Sequence, residues 1–165
     1  MFSDSPRSVS VEKAEEIFDA LGPFVTRVCV SHTASPGDVE TMLDLHPDVI
    51  QISMPLVLSH PFPVRLIRVA LPGQPLPIDA DALLVDRSSG RGMLYDADFA
   101  SRLVRESSVP VILAGGLHPG NVAEAIRRVR PAGVDVATGV EDSPGIKNEQ
   151  KVRTFVRIAK GVMYD

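Results

Sequence analysis

A single cysteine, Cys29, in a chain of 165 residues excludes an internal disulfide framework and any multi-cysteine metal site. It also suits a reducing compartment. No apolar run approaches the roughly 18 residues a membrane helix needs. The opening MFSDSPRSVS lacks the basic-then-apolar order of a secretion signal, so a cytoplasmic protein is expected. The formal net charge of −4 supplies no basic field for a nucleic-acid backbone. The four histidines, His32, His46, His60 and His118, are scattered without metal-ligand spacing and read as loop residues. No linker, internal repeat or low-complexity tract interrupts the chain. No GxGxxG fingerprint follows the first strand-like run, which removes the commonest dinucleotide signature.

The chain does contain enough residues for one domain over 1–165, burying roughly 70% of the surface of its unfolded form. Six short β-rich apolar runs recur: 25–31, 48–53, 64–70, 81–86, 109–114 and 133–138. Amphipathic stretches lie between several of them, with start signals at Ser10, at Ser35-Pro36-Gly37-Asp38, at Asp96 and at Pro119-Gly120-Asn121. Two connections, PLVLSHPFP and LPGQPLPID, are proline-rich and too short for regular helices. Alternation of strand and helix, with nearly continuous apolar strands such as VPVILA, predicts an α/β fold around a parallel sheet. An open doubly wound sheet and a barrel share this unit. The barrel is favoured because three successive strands run into polar or glycine residues at their C-terminal ends: Asp86, Gly115-Gly116 and Gly139.

Those ends carry the chemistry. ILAGGLHPGNVAEAIRRV sets two glycines between a strand and a helix, where backbone N–H groups can approach an anion beside a helix start. Alone, that is equally a tight turn. GVDVATGVEDSPGIKN repeats the strand-then-glycine form, and loops after the last two strands of a barrel are where phosphates are often held. The second half thus reads as a phosphate-holding βα segment with loops at Ala114-Gly115-Gly116 and Thr138-Gly139-Val140. Asp86, at the rim of the apolar strand DALLVD, suits a general acid, although taken alone it reads first as a helix-capping or loop-bracing aspartate beside Arg87 or Arg91. Cys29 shares a strand face with Arg27 and Ser31. With Val28 and Val30 expected against helices, Cys29 is expected on the opposite, inner face, either as a small buried hydrophobe or as a base. Lys147, Lys151 and Arg153 read as a solvated face, and Glu141-Asp142 as part of the turn before the last helix.

Taken together, LLVDRSSGRGMLYD, the stretch from VPVILAGGLHPGN to KVRTF, and FSDSPRSVS near the start resemble the phosphoribosylanthranilate isomerases of tryptophan biosynthesis. The resemblance is dense from about residue 81 to 158 and weaker before. It implies a TIM-barrel-like (βα)8 relative and the Amadori rearrangement of N-(5′-phosphoribosyl)anthranilate to its open-chain 1-deoxyribulose isomer, without metal or cofactor. It further implies that Asp86 protonates the ribose ring oxygen and that Arg7 pairs with the anthranilate carboxylate. Gly115, Gly116, Thr138 and Gly139 would hold the phosphate, with Asp135 near the sugar hydroxyls. Read from the residues alone, Arg7 is first a solvent-exposed arginine near the terminus, and Asp135 is equally a strand-end residue bonded to nearby amides. Against the family pattern, the first strand with its basic cysteine, the first helix and most of the second strand have no counterpart. Ser89-Gly90-Arg91-Gly92 and Tyr95-Asp96-Ala97 replace the family's Gly-Gly-Thr-Gly and Phe-Asp-Trp. Two further readings follow: a phosphosugar-binding relative without turnover, and an interaction protein whose open sheet edges are covered by another copy or a complementing chain.

Overall fold

The computed structural model describes residues 1, 5–58, 62–86 and 95–162. The chain divides into two compact units, one comprising Met1–Val69 with Ile78–Asp81, the other Ala70–Pro77 with Ala82–Asp165.

In the first unit, α1 (Val11–Asp19) starts at Ser10, whose hydroxyl accepts from the Lys13 N–H at 3.2 Å. Strand β1 (Val28–Ser31) is followed by α2 (Pro36–Asp44), with proline in its first turn, then β2 (Val49–Ile52) and β3 (Arg65–Ala70). The strands pair in parallel, Val28 opposite Val49 and Val49 opposite Arg65. Cys29, Ile50, Ile52 and Leu66 form one cluster with Ala14 of α1 and Val39, Met42 and Leu45 at α2. Fully burying aliphatic side chains of this size contributes roughly 1.5–3 kcal/mol each before entropy is counted.

This packing reverses the expected orientation of β1. Cys29 and Ser31 face the helices at 3% and 1% exposure, whereas Val28 and Val30 are on the other face at 36% and 42%. The apolar pair was the natural choice for the buried side, but small Cys29 and Ser31 are what fit beneath α2 beside Ile50 and Ile52. Ser31 brings a hydroxyl into that core and satisfies it by donating to the Met1 carbonyl at 3.0 Å and accepting from the Thr33 N–H.

No helix follows β2 or β3 among the described residues, in keeping with Pro55, Pro63, Pro72, Pro75 and Pro77. Arg68 stands in for one. It projects from β3 on the face of Leu66 at 5% exposure, and its guanidinium donates to the carbonyls of Met54 (3.2 Å) and Leu56 and to the Asp79 carboxylate (2.6 Å). An irregular segment leaves backbone carbonyls without ladder partners, and the five-donor fork of one arginine answers several of them. Asp81 plays the matching part at the edge, accepting from the Leu66 N–H at 2.8 Å and from Arg65.

In the second unit, β4 (Ala82–Val85), β5 (Val111–Leu113) and β6 (Gly133–Val134) pair in parallel, Val85 opposite Leu113 and Leu113 opposite Val134. Between them run α3 (Ala97–Glu106), capped by the Asp96 carboxylate on the Phe99 N–H, and α4 (Val122–Val129), closed by Arg130 at φ 55°. Val111 and Leu113 are buried and Ile112 between them is half-exposed, so α3 and α4 cover the Val111/Leu113 face. A single 3-10 turn (Thr138–Val140) leads into an antiparallel hairpin, β7 (Glu141–Ser143) with β8 (Ile146–Lys147), and then α5 (Glu149–Gly161). All six expected strands are present, each shorter than its apolar run: β1 and β3 lose residues at the N-terminal end, β6 at the C-terminal end, and β2, β4 and β5 at both.

Candidate functional site

The C-terminal ends of β4, β5 and β6 bring most of the expected residues to one place in the second unit. Beyond the ladder, the Ala114 N–H donates to the Val85 carbonyl and the Asp135 N–H to that of Leu113, both at 2.9 Å. The parallel register therefore continues one residue past each strand, and Asp86, Ala114 and Asp135 form one row. In-register neighbours point to the same side of a parallel sheet, here the side of Ile112, away from α3 and α4. Ala114, in the middle, is small and buried.

Gly115 and Gly116 follow at φ 91° and 65°, backbone that residues with a Cβ rarely adopt. The loop they open is braced by Asn121. Its amide donates to the Gly116 carbonyl at 2.9 Å and accepts from the His118 N–H at 2.8 Å. The Gly120 N–H donates to His118 Nδ1. Asn121 stands at the start of α4 without capping it by its side chain, which keeps that chain for the loop. Gly139 packs on this same loop: a Cβ there would lie 1.9 Å from the Leu117 carbonyl oxygen and 2.9 Å from His118 Cβ. The two glycine loops read from the sequence are in backbone contact, and only glycine permits it.

Thr138 and Gly139 are held from below by the hairpin. Lys147 Nζ donates to the Ala137 carbonyl at 3.0 Å and to Glu141 at 2.8 Å, with the Glu141 side chain only 5% exposed. Lys151 bonds the Glu141 carbonyl and Asp142, and Asn148 bonds Asp142 while capping α5. Lys147 and Lys151 remain on the solvated face expected of them, at 46% and 43% side-chain exposure, while their ammonium groups also brace the loop. Arg153 pairs with Glu149 on the same exposed side of α5. The hairpin was not foreseen, although Ser143-Pro144-Gly145 carries the Pro-Gly signature of a tight turn and Gly145 sits at φ 84°.

Asp135 is solvent-accessible, yet its carboxyl has protein close around it. That crowding pushes its carboxyl above the ordinary range, and the neighbouring charge of Asp86 adds to the rise. A hydrogen bond from the Val136 N–H and the charge of Lys147 pull the other way. Asp86 is half-buried.

Arg7 belongs to the first unit, half-buried, with its N–H on the Ser5 hydroxyl at 3.2 Å. Cys29 is there too, beneath the helices, where burial pushes its thiol up from the ordinary value. The placement of Cys29 on the inner face is thereby overturned. His60, Arg87 and Ser89-Gly90-Arg91-Gly92 lie outside the described residues. A cavity of about 710 Å³ sits elsewhere, at the N-terminal ends of β2 and β3 between Asp48, Phe62, Arg65 and Asp81. Its carboxylates are committed to Arg27, Arg65 and the Leu66 N–H.

Comparison with known proteins identifies the family. The family model described as N-(5'phosphoribosyl)anthranilate (PRA) isomerase matches residues 1–158. An N-(5'-phosphoribosyl)anthranilate isomerase of Methanoregula boonei is 53% identical over 156 residues, covering 94% of this chain and 80% of that protein. The structure of the Pyrococcus furiosus isomerase superposes with a TM-score of 0.80 at 29% identity, over 98% of this chain and 86% of that one. Another isomerase, solved with reduced 1-(o-carboxyphenylamino)-1-deoxyribulose 5-phosphate, gives a TM-score of 0.72 at 27% identity, over 96% and 83%. With six parallel strands in an α/β, TIM-barrel-like arrangement that matches part of a (βα)8 barrel, the chain belongs to the N-(5'-phosphoribosyl)anthranilate isomerase family.

Proposed function

We propose that this chain catalyses the Amadori rearrangement of N-(5′-phosphoribosyl)anthranilate in the cytoplasm, the setting that suits its one buried thiol. The observation that carries the reading is the close approach of Gly139 to Leu117, which joins two glycine loops at the strand ends where Asp86 and Asp135 share a row. A ribose 5-phosphate would rest on the backbone of Gly115, Gly116, Thr138 and Gly139, where close N–H groups and the positive end of α4 favour an anion. Asp86 is assigned the proton that opens the ribose ring. Asp135 faces the sugar, and Arg7 is assigned the anthranilate carboxylate, to which a guanidinium fork is suited. The test is a steady-state assay of the full chain with phosphoribosylanthranilate. Turnover is expected, and Asp86→Asn should lower kcat by about 100-fold or more. No turnover, where a curated family member works in the same buffer, would overturn it.

The burial of Cys29 beneath the helices favours a second reading, a phosphosugar-binding relative without turnover. Calorimetry separates the two: a reduced substrate analogue binding to a protein that shows no turnover would establish the second. The exposed Val28 and Val30 on β1 support a further proposal, that a second copy or a complementing chain covers this strand. Sedimentation as a stable monomer at all concentrations would count against it.

A further inference from the structure

An aldose-to-ketose shift needs two proton handlers: one for the ring oxygen as it leaves and one for the hydrogen on C2. Asp86 can be only one of them at a time. The row Asp86–Ala114–Asp135 places a second carboxyl on the same face of the sheet, two strands away. At about 4.8 Å per strand the two backbone positions are about 10 Å apart, with only the methyl group of Ala114 between. That gap takes a sugar carbon chain, and a carboxyl stands on each side of it. The joined glycine loops begin one residue beyond the row, at Gly115, and three beyond it, at Thr138. A 5-phosphate on them leaves the other end of the sugar to reach the row. Cys29, the one thiol, is under the helices of the other unit.

We propose that Asp135 is the second catalytic carboxyl of this site, exchanging protons with the C2 and C1 carbons of the substrate while Asp86 serves its oxygens. The proposal rests on the isomerase reading above. Asp86 gives its proton to the ring oxygen as the C1–O bond breaks, leaving an iminium. Asp135 takes the C2 proton, and the C–H electron pair moves into the C1–C2 bond to give an enolamine. Asp135 then returns that proton to C1 while Asp86 receives the proton of the C2 hydroxyl, and the ketone forms. The pair ends with the single proton it began with. Crowding by protein, and after it the charge of Asp86, pushes the Asp135 carboxyl up, which suits a group that must both take and return a proton.

The experiment compares the full-length parent with Asp135→Asn and Asp135→Glu on phosphoribosylanthranilate across pH, with inorganic phosphate binding measured on each. The parent should show a bell-shaped kcat profile. The Asn variant should lose about 100-fold or more in kcat with KM within about threefold, and one limb of the bell should disappear. Phosphate affinity should be unchanged, and the Glu variant should recover part of the rate with both limbs. A parent that turns over beside an Asn variant within threefold of it in kcat overturns this assignment alone. A rise in KM without a fall in kcat makes Asp135 a binding residue and also overturns it. A parent with no turnover removes the isomerase reading and this proposal with it.

Discussion

The chain that leaves β2 and the chain that leaves β5 meet the same need in different ways. After β5, two left-handed glycines turn the backbone sharply and α4 satisfies the following residues from within, so the loop between them is free to be shaped by Asn121 and Gly139. After β2, prolines forbid a helix, and the carbonyls of Met54 and Leu56 turn inward to Arg68. The first arrangement shapes a glycine loop at a strand end, where the proposed phosphate would sit. The second consumes its polar groups internally. A helix is what allows a βα loop to be functional, and a segment that lacks one must spend its side chains on itself.

The largest effect that would break this contrast is expected in the first unit. Arg68→Met should cost about 3 kcal/mol of unfolding free energy in urea, because it strands Asp79 and two inward carbonyls in one step. A loss under about 1 kcal/mol would mean that water serves those groups and the cage is incidental. Next comes Gly139→Ala in the second unit. The new Cβ meets a backbone oxygen, so the two loops must part, at roughly 1–3 kcal/mol of stability. Inorganic phosphate affinity should fall by about tenfold, read by calorimetry. Unchanged affinity would separate the loop contact from anion binding.

The smallest effect concerns pH. The folded-state carboxyl of Asp135 is raised, so the folded protein binds that proton more readily than the unfolded chain. Stability from this group therefore grows as pH falls through the raised value and is absent above it. Asp135→Asn should raise the melting temperature slightly at neutral pH, and the gain should vanish below the ordinary aspartate range near about 4. Asp48, Asp81 and Asp142 run the opposite way. Each is held low, first by the Arg27 N–H, the Leu66 N–H and Lys151 respectively, so their contribution is present at neutral pH and lost on acidification. A variant gain that persists unchanged at low pH would show that Asp135 is strained sterically instead.

Much of this was legible in the residues themselves. The six strands, the caps at Ser10 and Asp96, and the glycine loops at 115–116 and 138–140 follow from periodicity and from backbone chemistry that only certain residues perform. The fate of polar side chains did not follow. Lys147 and Lys151 are the surface lysines they look like, but only the Pro144-Gly145 turn, by folding β8 back on β7, brings their ammonium groups to Ala137 and Glu141. Asn121 looks like a helix cap until its amide is found across the loop at Gly116. Cys29 and the valines beside it alternate correctly, but alternation fixes only that they face opposite sides, not which side is covered.

The sequence by itself determined the order of elements, where the chain must turn, and which strand ends carry glycine or carboxylate, because these depend on a residue and its near neighbours. Only the tertiary structure decided that Gly139 touches Leu117, that Arg68 replaces a helix, and that Asp86 and Asp135 share a row. Each of those joins residues 11 to 49 positions apart, and such contacts are set by strand register and packing volume, which no local pattern encodes.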